Sequence, residues 1–211
     1  MIFRTRVAVV LAALSLGPLL YADNLIKNPG FETELENWKL VVPPEHEGAQ
    51  VDLAVTKEDP HSGMASASLK VEEPVRCSVG STVYVKTSPD ERYRVRGWIK
   101  FSKDAQLAGD FPVAYIRETL FERVGVPPPS PLGNIHIGLT GDVARQPSIP
   151  KLGIPQLPSG WQKIEAVIEI PPDCFLMCLA LTVHGVVGTV YWDDVSVELV
   201  PVETPLSKVL D

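Results

Sequence analysis

Residues 91–101, ERYRVRGWIKF, carry the clearest pattern in the chain. Tyr93, Val95, Gly97, Ile99 and Phe101 alternate with Arg94, Arg96, Trp98 and Lys100. A period of two sends successive side chains to opposite faces of a strand. One face is core; the other is charged and holds a single large aromatic. The same period returns in 161–170, WQKIEAVIEI, and more weakly in 51–56, 65–71, 79–86, 134–140, 174–183 and 189–199. Turn chemistry separates these runs at 57–63 (KEDPHSG), 171–173 (PPD) and 184–188 (HGVVG).

Two segments read less simply. Residues 24–31, NLIKNPGF, predict a short strand that Pro29-Gly30 must place at an edge or bulge. The polar turn 32–38 after it ends in Trp38, a core plug. In 111–124, Val113, Ile116, Leu120 and Val124 recur at helical spacing and predict a short helix, with a strand over 113–119 as the competing reading. Eight to ten short strands without a βαβ rhythm make the fold all-β, a two-sheet antiparallel β-sandwich.

Composition refines this. Twenty prolines cluster at 127–131 and 147–158. Proline breaks helices and central strands, so 102–133 and 141–160 hold long Pro-rich loops. Residues 1–22 have the form of a secretory signal: Arg4 and Arg6, an apolar run over 7–20, then Ala22. The run falls short of the roughly 20 residues of a membrane anchor. The expected organisation is signal 1–22, β-sandwich 23–200 and a loosely attached tail 201–211. The mature chain is expected outside the cytoplasm, secreted or in a periplasm or cell envelope, with no membrane span after cleavage.

The net charge of −7 and the lack of a basic stripe argue against a nucleic-acid partner. Cys77, Cys174 and Cys178 make an odd count. Along one extended strand Cys174 and Cys178 lie about 13 Å apart, too far to bond. Either the segment bends, or Cys77 pairs with one of them, or all three are buried thiols, the reading favoured here.

Four pieces, in order, resemble the CenC-type carbohydrate-binding modules, a family with a galactose-binding-like jelly roll. They are NLIKNPGFE with Trp38, HSGMASASLKV, YRVRGWIKF, and GWQKIEAVIEIPPD leading to VYWDDVSVEL. The match spans 24–199; the links 102–133 and 142–160 are longer than is usual in the family. The resemblance implies a structural calcium where the first and last strands meet. Its ligands would come from Gly30, Glu32, Asp59, Ser62 with the His61 carbonyl, and Asp193. Calcium takes six to eight hard oxygens, carboxylates mixed with carbonyls. Asp193 is expected to share the inward face of Val195 and Val197, with Asp194 facing away. The competing reading has Glu32 and Asp193 capping turns and pairing with Lys or Arg.

The resemblance also implies a poly- or oligosaccharide partner. Sugar rings stack on aromatic faces, which nominates Trp98 flanked by Arg96 and Lys100, then Asn134 and His136 on the strand 134–140, with Tyr84 and Tyr115 as further candidates. In the competing reading Trp98 lies under the Pro-rich loops, and the chain is an envelope or extracellular interaction module with protein partners. His61 and His184 read as turn residues. There is no GxSxG elbow, and Asp193 and Asp194 point to opposite faces, unlike a glycosidase pair. The chain therefore reads as a binding protein and not an enzyme.

Overall fold

Two β-sheets face each other across the apolar residues that mark them in the sequence. The computed structural model describes residues 23–122, 131–146, 148–158 and 160–210. The expected signal at 1–22 and most of the 127–131 proline cluster lie outside them. In chain order the strands are β1 (Trp38–Val41), β2 (Val51–Thr56), β3 (Ser66–Val71), β4 (Arg76–Ser81), β5 (Val85–Lys86), β6 (Arg92–Phe101) and β7 (Gln106–Leu107). They continue with β8 (Val113–Phe121), β9 (Pro131–Gly138), β10 (Val143–Ala144), β11 (Gln162–Glu169), β12 (Leu176–His184), β13 (Val186–Val200) and β14 (Val209–Leu210). Single 3-10 turns lie at Pro44–His46 and Ile149–Leu152.

One sheet of eight strands runs β1-β4-β12-β8-β9-β10-β14, with β5 beside β12; the other, of six, runs β11-β6-β13-β3-β2, with β7 beside β13. All pairings are antiparallel except β10 with β14. In β6 the expected residues, Tyr93, Val95, Gly97, Ile99 and Phe101, are the buried ones. They meet Ala114, Ile116 and Leu120 of β8 and Met177, Leu179, Leu181 and Val183 of β12 across the core. All three cysteines are free thiols; Cys77 and Cys174 are buried.

Three expectations are corrected. The helix over 111–124 is strand β8, within the described part. Both of its faces are covered: Ala114 and Ile116 enter the main core, while Val113 and Tyr115 join Ala144 and Leu152 in a second cluster outside the sheet. A strand buried on both faces loses its alternation, and the remaining apolar spacing mimics a helix. Residues 24–31 are bends and turns rather than a strand. Pro29 lacks a donor, and Asn28 and Phe31 take φ values of 49° and 58°. The segment still runs beside β13, through Leu25 N–H to Val197 O (2.9 Å) and Val195 N–H to Pro29 O (3.0 Å). The tail is tied down: Ser207 N–H donates to Val167 O (3.0 Å), Val143 N–H to Lys208 O (2.8 Å), and Arg92 Nη1 to Thr204 O (2.8 Å).

Candidate functional site

The residues nominated from the sequence fall on two opposite surfaces. Trp98 and Arg96 lie on the outer face of the six-stranded sheet, whereas His136 and Tyr84 belong to the eight-stranded sheet. They cannot form one site.

On the six-stranded sheet the closure of the chain is built around Asp193. The register of β13 against β6 slips between Asp193 and Ser196, and Asp194 has φ 45°. This bulge resets the alternation. Trp192 and Val195 both face the core, and Asp193 sits opposite Trp98 on the outer face. The expected inward orientation of Asp193 is thus corrected. Asp193 is nevertheless buried, because the 57–63 turn folds over it. Its Oδ2 accepts the backbone N–H of His61 (2.9 Å) and Ser62 (3.2 Å), and its Oδ1 that of Asp194 (2.8 Å). Burial lifts its pKa to about 6, despite those donors.

Gly30, Glu32 and Ser62 come to the same place. A Cβ on Gly30 would lie 3.6 Å from Asp193 Oδ1 and 3.8 Å from both Asp194 Oδ1 and Glu32 Cγ. Glu32 Oε1 accepts Met64 N–H (2.8 Å), and Ser62 Oγ donates to Asp194 Oδ1 (2.8 Å). Gly63, at φ 61°, leaves the space that Glu32 occupies: a Cβ there would fall 1.9 Å from Glu32 Oε1. Asp59 does not converge. Its carboxylate pairs with Lys100 Nζ (2.9 Å) and is largely exposed. Among the described residues no group of three or more His, Cys, Asp or Glu side chains is placed to hold an ion.

Trp98 is not an open platform. The His61 ring stacks on it at 3.7 Å between centroids and 19° between planes, and Trp161 meets His61 edge-on. Only part of Trp98 is left to line a shallow depression of about 330 Å³ with Arg96, Ser196 and Glu198. Arg96 is held by Glu165 (2.7 Å) and Glu198 (3.6 Å).

The eight-stranded sheet is arranged differently. Its outer rungs carry small side chains, Ser78 and Gly80 on β4 opposite Thr182 and Ala180 on β12. Larger ones flank them, Lys39 and Val41 on β1 and Tyr115 and Arg117 on β8. This narrow trough follows β12 from His184 to Leu176, about 26 Å at the rise of a strand, and the side chains at its floor, Ser78, Ala180 and Thr182, are buried between the flanking ones. At the His184 end a cavity of about 320 Å³ is lined by Arg76, Phe111, Tyr115, Gln146 and His184, with Glu45 at its rim. Phe111 is 40% exposed and lies 4.6 Å from the His184 ring. Arg76 Nε and His184 Nδ1 are buried there without a hydrogen-bond partner. At the other end the exposed Tyr84 packs edge-on against Phe121, 5.4 Å between centroids. His136 is covered: Leu152 and its neighbours lie over that side, and Nδ1 faces Ala144 O at 3.3 Å. Burial pushes its pKa down to about 4.

Of the nominated sugar contacts Tyr84 and Tyr115 therefore lie along the trough, Tyr84 exposed and Tyr115 buried at its cavity. Sequence reasoning missed Phe111, Arg76, Gln146 and His184. The alternation of Arg76, Ser78 and Gly80 against Cys77 and Val79 was the one available signal. Phe111 and Gln146 sit in loops whose placement no period encodes.

No family model matches the chain, and no curated protein matches it. Solved structures do. A tailspike protein of bacteriophage CBA120 superposes with a TM-score of 0.59 at 14% identity, over 84% of this chain and 21% of that one. A CBM4 module gives 0.53 at 15% identity, over 83% and 99%. The CBM22-1–GH10 modules of a Clostridium thermocellum xylanase, solved with xylohexaose, give 0.51 at 10% identity, over 85% and 29%. This chain thus spans about a fifth of the tailspike and nearly all of the CBM4 module. The fold is that of the β-sandwich carbohydrate-binding modules.

Proposed function

We propose that the chain is a non-catalytic carbohydrate-binding module of an exported protein, and that an oligosaccharide lies in the trough of the eight-stranded sheet. One observation carries this: an exposed aromatic, Phe111, stands over a cavity in which Arg76 Nε and His184 Nδ1 are buried unpaired. Buried polar groups are hydrogen-bonded in the great majority of cases, so such atoms point to partners that arrive from outside. An aromatic beside an orphaned Arg76 donor and an unpaired His184 ring nitrogen suits a ring that is apolar on its face and hydroxylated at its rim. The second exposed aromatic, Tyr84, extends the site to the length of several sugar units.

The experiment is retention on immobilised xylan, galactan, β-glucan, pectate and sulfated galactan, followed by titration of the retained polymer. Phe111→Ala and Tyr84→Ala weaken binding by roughly tenfold each, with the melting temperature kept. Lack of retention by every polymer overturns the reading and leaves the protein-interaction module in its place.

The structural calcium belongs to this proposal. Its support is the gathering of Glu32, Asp193 and Asp194 around Gly30, where the basic side chain bonded to them is His61. Backbone carbonyls would have to complete the ligand set. Chelator then lowers the melting temperature and calcium restores it, because an ion bound only by the folded state stabilises that state. An unchanged melt together with metal-free protein by elemental analysis removes calcium from the account.

A further inference from the structure

The two outer faces differ in how they treat charge. On the six-stranded sheet most of the cations are paired, Arg92 with Glu169 (3.0 Å), Arg96 with Glu165, Lys100 with Asp59 and Lys163 with Glu165 (3.4 Å), while Arg94 has no ion pair among the described residues. On the eight-stranded sheet the outward positions of the strands include Lys39, Arg76, Lys86 and Arg117, and among the described residues none is Asp or Glu. Arg76 has Glu45 from a neighbouring turn as its partner. Arg117 forms no ion pair among the described residues, and its Nε is buried and unbonded. Glu118, its neighbour in sequence, points the other way, into the core beside Leu179 and Ile135. A chain of net charge −7 thus presents on this face three cations, Lys39, Lys86 and Arg117, that have no ion pair among the described residues.

Position matters as much as sign. Lys39, Gly80, Ala180 and Arg117 occupy one rung across β1, β4, β12 and β8. Three interstrand steps separate the two cations, about 14 Å, and the residues between them are the smallest on the sheet. A Val41 methyl leans over Gly80, 3.0 Å from where a Cβ there would sit, and is the side chain standing nearest the gap between Lys39 and Arg117. The Arg117 guanidinium borders the trough beside Thr119, whose Oγ1 donates to Asn134 Oδ1 (2.9 Å). That bond turns the Asn134 amide so that its NH₂ remains a donor. The rung and its neighbour therefore offer a guanidinium, an ammonium and an amide, all donors. Charge-assisted hydrogen bonds from guanidinium to carboxylate or sulfate are the strong ones.

We infer that the trough selects an anionic polysaccharide, one carrying carboxylate or sulfate groups at intervals along the chain, with Arg117 and Lys39 as the charge-reading residues. The inference rests on the carbohydrate reading above and sharpens it by naming the ligand class. A polynucleotide shares the charge, and its bases also stack on aromatics, but the chain's net charge of −7 opposes a long uniform polyanion, so the glycan is the assigned occupant.

Isothermal titration tests this with four probes of matched length: oligogalacturonate, a sulfated galactan oligomer, the neutral galactan oligomer and single-stranded oligothymidylate. The expected result is binding of at least one anionic glycan roughly tenfold or more above the neutral one, weakened by salt as charge pairing requires. The two anionic glycans separate a carboxylate ligand from a sulfate one. Arg117→Gln and Lys39→Gln each reduce that affinity by about tenfold, and Lys163→Gln on the opposite sheet leaves it unchanged. Melting curves of the variants confirm that they are folded. Equal binding of neutral and anionic oligomers overturns the charge assignment while leaving carbohydrate binding intact. Binding of oligothymidylate as tight as that of the best glycan overturns it in favour of a general polyanion surface. Absence of binding to all four overturns the anionic assignment, while the carbohydrate reading falls only if the xylan and β-glucan of the polymer panel also fail to retain the protein.

Discussion

Glu118 is the least expected residue in the core, and its cost can be worked out. Its side chain is fully buried on the inner face of β8, opposite Leu179 and Ile135, and neither carboxylate oxygen has a hydrogen-bond partner. Burial raises its pKa from 4.5 to about 8; Arg117, next in sequence but on the other face, offsets a little of this. The sign follows directly. Between pH 4.5 and 8 the folded state holds a proton that the unfolded state has lost, so stability falls as pH rises through that window. A tenfold difference in proton affinity between the two states is worth about 1.4 kcal/mol, so the full penalty approaches about 5 kcal/mol at pH 8 and above. In a domain of this size a change of that order moves the melting temperature by about 10 °C or more. Glu118→Leu removes the group and fills a similar volume; Glu118→Gln removes the titration alone. Melting temperatures measured from pH 5 to pH 9 should fall for the natural chain and less steeply for both variants. The difference should grow across the window and level off above pH 8. Parallel curves for the natural chain and Glu118→Gln would refute the reasoning, since a paired or solvated carboxylate has no reason to titrate there.

Three further outcomes follow from the same geometry. Asp193→Ala strands the three backbone donors that its carboxylate satisfies and should cost about 3 kcal/mol, read as a shifted urea midpoint; an unchanged midpoint would mean the 57–63 turn is held by other means. Gly141 has φ 80°, and a Cβ there would sit 2.5 Å from Glu165 O, so Gly141→Ala should lose about 2 kcal/mol or more. A melting temperature equal to that of the natural chain would contradict it. His136 is kept neutral by burial, with its pKa near 4, so the unfolded state takes up the extra proton as pH drops below about 6.5. Stability should fall from pH 6.5 toward pH 4, and His136→Phe should flatten that slope in denaturant titrations at pH 7 and 4.5.

Much of the sandwich was legible because one face of each sheet meets the core and the other does not. In β6 and β11 that contrast is written as strict alternation, and the expected burial is the observed burial. β8 failed the same test for a physical reason. The 145–154 segment brings Ile149 and Leu152 down onto its outer face, so both faces are apolar and the period vanishes. Nothing within residues 111–124 announces that a loop some thirty residues further on will cover them. The opening segment fails in the other direction. Asn24 anchors to the β13 backbone through its side chain, donating to Val195 O (2.9 Å) and accepting from Val197 N–H (3.1 Å), a strand-like contact that the backbone makes only in part.

The site was harder to read because alternation assigns faces only while register holds. The bulge at Asp194 moved Asp193 from the core face to the outer one, and no residue type in TVYWDDVSVEL marks the slip. The same lack of long-range register let Trp98 and His136 look like partners, although they sit on the opposite outer faces of the sandwich. Trp98 stands out in the sequence as the one aromatic on a charged face, but the His61 ring covers it and most of the cations around it are already paired. The eight-stranded face looked bland in sequence because its rungs are Ser, Gly, Ala and Thr. Those small residues make the trough, and they leave Arg117 and Lys39 standing unopposed on either side of it. A binding surface on a sheet is therefore better sought where outward side chains are smallest between unpaired polar ones than where a lone aromatic is largest.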